Sequence, residues 1–242
     1  MSKSLGNVVN PFSAMSRFGV DAIRWYMARD GGILNDSPYE NSFISARYKK
    51  ELQAQIGNLL NRIVRGKLWH LPSCIEACEE ELITMSPKHQ EMINFIDTRE
   101  KMKHAVRAMN ESMEKLDIRE ATTLAVDLCR SANQLLGSSE PWRLSQEPSP
   151  DNERKLRWII FEMAETLRVA MILLQPVMPD TMARGLDILG VPVEHRFWKP
   201  NLAEVFPEYG TPMFDLGPVP KSAGRKAGIS ASILFPPLQS DD

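Results

Sequence analysis

The chain has 242 residues, 43% hydrophobic and 25% charged, enough to bury the core of one large domain or of a domain with appendages. A formal net charge of −2 excludes a globally basic nucleic-acid binder but leaves room for a local basic face. No apolar run approaches the ~20 residues of a membrane span, and an odd set of three cysteines (Cys74, Cys78, Cys129) suits a reducing compartment better than a disulfide framework.

The first stretch, Met1-Ser2-Lys3-Ser4-Leu5-Gly6-Asn7, is a short loop with one lysine between two hydroxyls, closed by glycine. Such a loop can wrap polyphosphate, with Gly6 permitting close backbone approach. Asn10-Pro11 then predicts a helix start, Asn at the cap and Pro at the first helical position, with a stop at Gly19. Asp21 is expected to cap the next helix, which runs to about Asp30. Residues 34–41 read as a turn region.

A long helix is predicted from Ser42 to Leu68. Tyr48, Leu52, Ile56, Leu59, Leu60, Ile63 and Val64 recur at helical spacings along one apolar stripe. Between Arg47 and Lys67 six basic residues face only Glu51. Leu71 to Ser86 reads as irregular and acidic (Glu76, Glu79, Glu80, Glu81). A third helix is expected from Ser86-Pro87 to Leu116, with Met102, Val106 and Met109 inside. The fourth, Ile118 to Leu136, carries Ala121, Ala125, Leu128 and Ala132, and Gly137 is expected as its C-cap. A loop, Gly137 to Pro150, follows. The fifth helix has Leu156, Ile159, Ile160, Met163, Leu167, Ala170, Met171 and Leu174 on the helical template, broken by Pro176 and Pro179. A shorter helix from Asp180 to Leu189 ends at Gly190.

From Val191 onward the chain holds eight of its 17 prolines, which predicts an extended tail that packs back at a few anchors. Val219 to Gly228 is expected to form a mobile basic loop. The fold class expected is therefore all-α: a bundle of about five helices over residues 41–190, preceded by a loop and short helices over 1–40, with an irregular tail over 191–242.

His70, Cys74 and Cys78 are spaced by four, but Pro72 and Ser73 are expected to break the helix that would align them, so no metal site is expected. Apart from Lys3 there is no catalytic constellation. Binding residues are better marked. Gln55, Asn58, Arg62 and Arg65 form a polar stripe beside the apolar one, and Asn and Arg carry the planar donor arrays that read base edges. Pro141-Trp142, in the loop after the fourth helix, is either a packed anchor or a rigid stacking platform for an unpaired base.

Met1 to Ser4 resemble the last four positions of the KMSKS signature of class I aminoacyl-tRNA synthetases, and Leu5-Gly6-Asn7 resembles its usual continuation. The lysine that normally precedes the methionine is absent, so Met1 is expected to be internal to a longer protein of which this is the carboxy-terminal part. Gly19-Val20-Asp21-Ala22-Ile23-Arg24-Trp25-Tyr26 is similar to the stem-contact stretch that follows the signature. Asn58-Leu59-Leu60-Asn61-Arg62, followed by Glu140-Pro141-Trp142, resembles the methionyl-tRNA synthetase family of the bacterial or mitochondrial branch. The similarity reaches nearly to Gly190 and returns at Leu234-Phe235-Pro236.

That resemblance implies a catalytic Lys3 and an ATP loop of Ser2, Lys3 and Ser4, with Mg-bound ATP as substrate of the full enzyme. It also implies an anticodon site of Asn58, Arg62, Pro141 and Trp142. The implied partners are initiator and elongator methionine tRNA, with ATP and methionine in the full-length enzyme. A monomer in the mitochondrial matrix is expected, the alternative being bacterial cytoplasm. The HIGH motif and nucleotide-binding half are not in this sequence, so the chain alone is not expected to be active. The rival reading is a helical RNA-binding module that derives from such a synthetase and performs no ligation.

Overall fold

The computed structural model describes residues 10–31, 39–84, 96–203 and 234–238. Asn10 starts the first helix as its sequence dictates: its side-chain oxygen accepts the Phe12 N–H at 2.9 Å and Pro11 takes the first position of α1 (Pro11–Phe18). Gly19, at φ 85°, ends α1 and leads into α2 (Val20–Tyr26), which continues as a π-wound turn over Met27–Gly31. Asp21 does not cap α2; Gly19 occupies that position. The buried Asp21 carboxylate instead accepts the Thr181 N–H at 2.7 Å, in the first turn of a helix far along the chain. Arg24 reaches the same place, donating to the carbonyls of Val177 (2.7 Å) and Pro176 (2.8 Å).

The long helix comes in three windings: α3 (Asn41–Arg47), a π-wound stretch (Tyr48–Gly57) and α4 (Asn58–Val64). Right-handed helical dihedrals at Tyr48 and Asn58 make it continuous. Its apolar stripe faces inward, with Tyr48, Leu52, Ile56, Leu59, Leu60 and Ile63 all buried. The π winding was not legible in the spacing, because apolar residues four apart line up under either winding.

Within the stretch expected to be irregular, Leu71 to Thr84 is helical. It forms α5 (Leu71–Thr84), since Pro72 lies in the first turn, where its missing N–H costs nothing. Cys74 and Cys78 enter the core on its inner face while His70, just before the helix, stays exposed and pairs with Ser73. The start of the third predicted helix at Ser86-Pro87 lies outside the described residues, which take up this helix as α6 (Ile96–Glu114). Next come α7 (Ile118–Ser138), α8 (Pro141–Gln146), α9 (Pro150–Leu174) and α10 (Pro179–Leu189). Gly190, left-handed at φ 76°, ends α10 as expected. Gly137 does not end α7, which runs one residue further.

Helix α9 is the axis of the bundle, packed by α4, α5, α6, α7, α8 and α10. Every residue from Trp158 to Leu174 is buried, so the helix is enclosed all round rather than on one stripe. Three charges are buried with it. Glu165 holds Arg168 in a two-pronged pair (2.8 Å each), and Arg168 also donates to the Leu202 carbonyl at 3.0 Å. Glu162 meets Arg99 at 3.4 Å, and burial pushes its carboxyl up to about 7 against the opposing pull of Arg99. The described residues contain no strand; the fold is all-α. No helix among them is long and apolar enough to cross a membrane.

Residues 234–238 lie on the long helix and α10. The Phe235 ring sits edge-on to Tyr48 and fills the space left by Gly57, where a Cβ would stand 3.3 Å from it. The Tyr48 hydroxyl donates to the Pro236 carbonyl at 2.8 Å, and the Gln53 amide donates to Phe235 (3.2 Å) and Pro236 (2.9 Å).

Candidate nucleic-acid interface

The predicted ATP-loop residues Ser2, Lys3 and Ser4 lie outside the described residues. The predicted base-reading residues do not, and they fall on two elements that both pack against α9.

The first is α4. Burying Leu59, Leu60 and Ile63 turns Asn58 and Arg62, one helical turn apart, to the other side. Asn58 is exposed and Arg62 half-buried. Arg65 continues the row one turn on, with its Nε and Nη2 buried and without a hydrogen-bond partner. The end of α4 is set by Trp69, whose ring folds over Gly66 and whose Nε1 donates to the Ile63 carbonyl at 2.9 Å. A Cβ on Gly66 would lie 2.1 Å from that ring.

The basic run on this helix is smaller than its sequence implies. The Arg47 guanidinium holds both Asp30 oxygens at 2.8 Å and Glu51 at 2.7 Å, and is not free for phosphate. Glu51 also meets Arg29, at 3.4 Å. Lys49 and Lys50 remain exposed.

The second element carries Pro141 and Trp142. They stand at the start of a short helix rather than in the predicted loop. The proline ring disfavours right-handed helical geometry at the preceding residue, which favours a break between α7 and α8. Glu140 takes up the reversal in the left-handed region, at φ 43° and ψ 55°, an uncommon conformation for a non-glycine residue. Its carbonyl accepts the Arg143 N–H at 2.8 Å, and its carboxylate pairs with the exposed Arg143 guanidinium at 2.8 Å. Pro141 is buried and Trp142 half-buried, its carbonyl taking the Ser145 hydroxyl at 2.8 Å. The tryptophan is thus fixed at its root with part of its surface open.

One contact between α7 and the long helix had no sequence signal beyond an Asn next to buried Ala132. The Asn133 amide nitrogen donates to the Gln55 carbonyl at 2.8 Å and to the Cys129 carbonyl at 3.1 Å. The thiols are not available for chemistry: burial raises Cys74 to about 11 and Cys129 to about 12, and lifts Cys78 further.

Comparison with known proteins places this architecture. Residues 1–64 match the family model described as tRNA synthetases class I (M). The chain is 35% identical over 243 aligned positions to a probable mitochondrial methionine–tRNA ligase of Neurospora crassa, covering 100% of this chain and 37% of that one. Against the methionine–tRNA ligase of Streptomyces coelicolor it is 29% identical, covering 99% and 41%. The crystal structure of the apo form of Mycobacterium tuberculosis methionyl-tRNA synthetase has the same fold, with a TM-score of 0.70 at 21% identity over 97% of this chain and 42% of that one.

The chain is therefore a relative of the class I aminoacyl-tRNA synthetases. Within that class it belongs with the methionyl-tRNA synthetases, of the mitochondrial and bacterial kinds, and it spans 37% and 41% of the length of the two ligases compared.

Proposed function

We propose that the chain is the carboxy-terminal part of a methionine–tRNA ligase, and that its α4 and α8 read the tRNA anticodon. The observation that carries this is the contrast along one helix. Arg47 is locked into Asp30 and Glu51, whereas Asn58 and Arg62 point outward. Their planar donors suit base edges, and the open part of Trp142 suits stacking on an unpaired base. Lys3, between Ser2 and Ser4, would bring positive charge to Mg-bound ATP while methionyl-adenylate forms. Initiator and elongator methionine tRNA are the proposed RNA partners, of a monomer in the mitochondrial matrix. The divisions at residues 40 and 190 separate ATP loop, reading bundle and tail in this reading.

Binding isotherms of this chain with methionine tRNA and with an anticodon-swapped version, at two salt concentrations, test it. Trp142→Ala should weaken the cognate RNA by roughly ten-fold, the worth of one stacked base, and leave the swapped RNA nearly unchanged. Equal weakening of both would make Trp142 a packing residue only. In the full-length protein, Lys3→Ala should slow pyrophosphate exchange through kcat more than through affinity.

A further inference from the structure

We infer that Asn133 is a positioning residue for the reading face of α4, holding the junction where the long helix changes from π to α winding. The inference rests on the proposed anticodon reading and adds a residue to it. At that junction the Asn58 N–H still bonds five residues back, to the Gln53 carbonyl, while α4 beyond it is wound four residues per bond. Four residues back from Leu59 is Gln55, so the carbonyl passed over at this change of winding is that of its neighbour Ala54, and π windings inside α-helices recur at functional sites. The Gln55 carbonyl lies in this passage and receives the Asn133 amide at 2.8 Å.

The second partner of that amide is the Cys129 carbonyl on α7 itself. Both partners are backbone carbonyls, which only accept, so the amide nitrogen must lie between them. Asn133 thereby ties the junction to α7, the helix whose end sets the position of Pro141 and Trp142. Moving the junction by one residue would rotate everything beyond it by about 100°, carrying Asn58 and Arg62 off the open face. Asn133 Oδ1 is buried without a partner, so the residue acts through the helix and does not touch RNA.

The test uses the 242-residue chain and two RNA hairpins, one with the methionine anticodon loop and one with that loop swapped. The readout is the ratio of their affinities. Arg62→Ala comes first, since it tests the reading site directly and should collapse the ratio about ten-fold. Asn133→Ala should lower the ratio at least three-fold with the swapped hairpin unaffected, and Asn133→Asp, which faces a carbonyl with a carboxylate, should lower it further. Thr122→Ala loosens the same helix near its start, where Thr122 bonds the Ile118 carbonyl, and should leave the ratio unchanged. Thermal unfolding of each variant matches them for stability. A ratio unmoved by Asn133→Ala while Arg62→Ala collapses it overturns the positioning role alone. A ratio unmoved by Arg62→Ala overturns the reading site on which it rests.

Discussion

Helix α9 and the long helix α3–α4 use polar residues in opposite ways. From Trp158 onward the charged groups of α9 are sealed in the core and matched within the protein: Glu165 by Arg168, Glu162 by Arg99 of α6. In the long helix the polar groups split by position. Arg47 pairs with Asp30, and Tyr48 and Gln53 with residues 235–236, while Lys49, Lys50, Asn58 and Arg62 face outward. Buried charges must be matched within the protein because leaving water is expensive, whereas an outward guanidinium keeps its hydration until a partner replaces it. The contrast separates residues that specify the fold from residues open to a ligand, although arginine stands in both sets.

The largest expected effect breaks the α9 side. Glu165→Ala leaves the Arg168 guanidinium buried and under-compensated, and should cost about 3–5 kcal/mol in denaturant unfolding. Replacing Glu165 and Arg168 together by apolar residues of similar volume should restore most of that loss. Failure of the double replacement to recover stability would mean the pair organises more than its own charges.

Next comes the end of α4. Gly66→Ala pushes a methyl group into the Trp69 ring, so the indole must leave and give up its bond to the Ile63 carbonyl. A loss of about 1–3 kcal/mol is expected, read as a fall in Tm. Gly185→Ala is the comparison, since its nearest neighbour is the flexible end of Met171, which can shift. It should cost clearly less.

Glu162 sharpens the contrast through pH. Burial raises its folded-state value to about 7, above the ordinary carboxylate value, so the folded chain holds the proton more tightly than the unfolded chain. That stabilisation is complete below about pH 4 and is lost as pH rises through about 7. Glu162→Gln should flatten the loss and leave the variant more stable than wild type at pH 8, by ~2 kcal/mol. Equal stability–pH slopes for the two proteins would show that Arg99 keeps Glu162 ionised throughout.

The smallest effect on folding belongs to the outward face. Lys49→Ala with Lys50→Ala should change stability by less than ~0.5 kcal/mol. The same pair should reduce the salt dependence of RNA binding for cognate and swapped hairpins alike. Arg47→Ala should instead destabilise the fold, because it strips Asp30 of a two-pronged partner and leaves Glu51 with the longer contact to Arg29.

The helical class and the buried stripe were legible because apolar spacing reports directly on which face meets the core. Gly190 and the Asn10-Pro11 start were legible because local backbone chemistry alone decides them. Other features depend on residues far away in sequence. Asp21 has the form of a cap for its own helix and caps α10 instead, a choice that only the packing of α2 on the α9–α10 turn can make. Arg47 belongs to a basic run until Asp30 is brought beside it. The α5 helix was missed for a different reason, a Pro counted as a breaker when it stood in the first turn. On the candidate site, sequence located Asn58, Arg62, Pro141 and Trp142 but gave Trp142 a loop instead of a helix start, and it gave no sign of Asn133.

The contact between Gly57 and Phe235 also bears on the order in which the chain can fold during synthesis. Ribosomes deliver Phe235 some 178 residues after Gly57. Until then Tyr48 lacks its ring partner and the hollow over Gly57 stays uncovered, so α3–α4 emerges with part of its core face bare. Contacts this distant in sequence form late and leave apolar surface open to other chains meanwhile. A translation stop anywhere before Leu234 would release a product with that hollow open, marked for chaperones and proteases by the same face that the finished molecule hides.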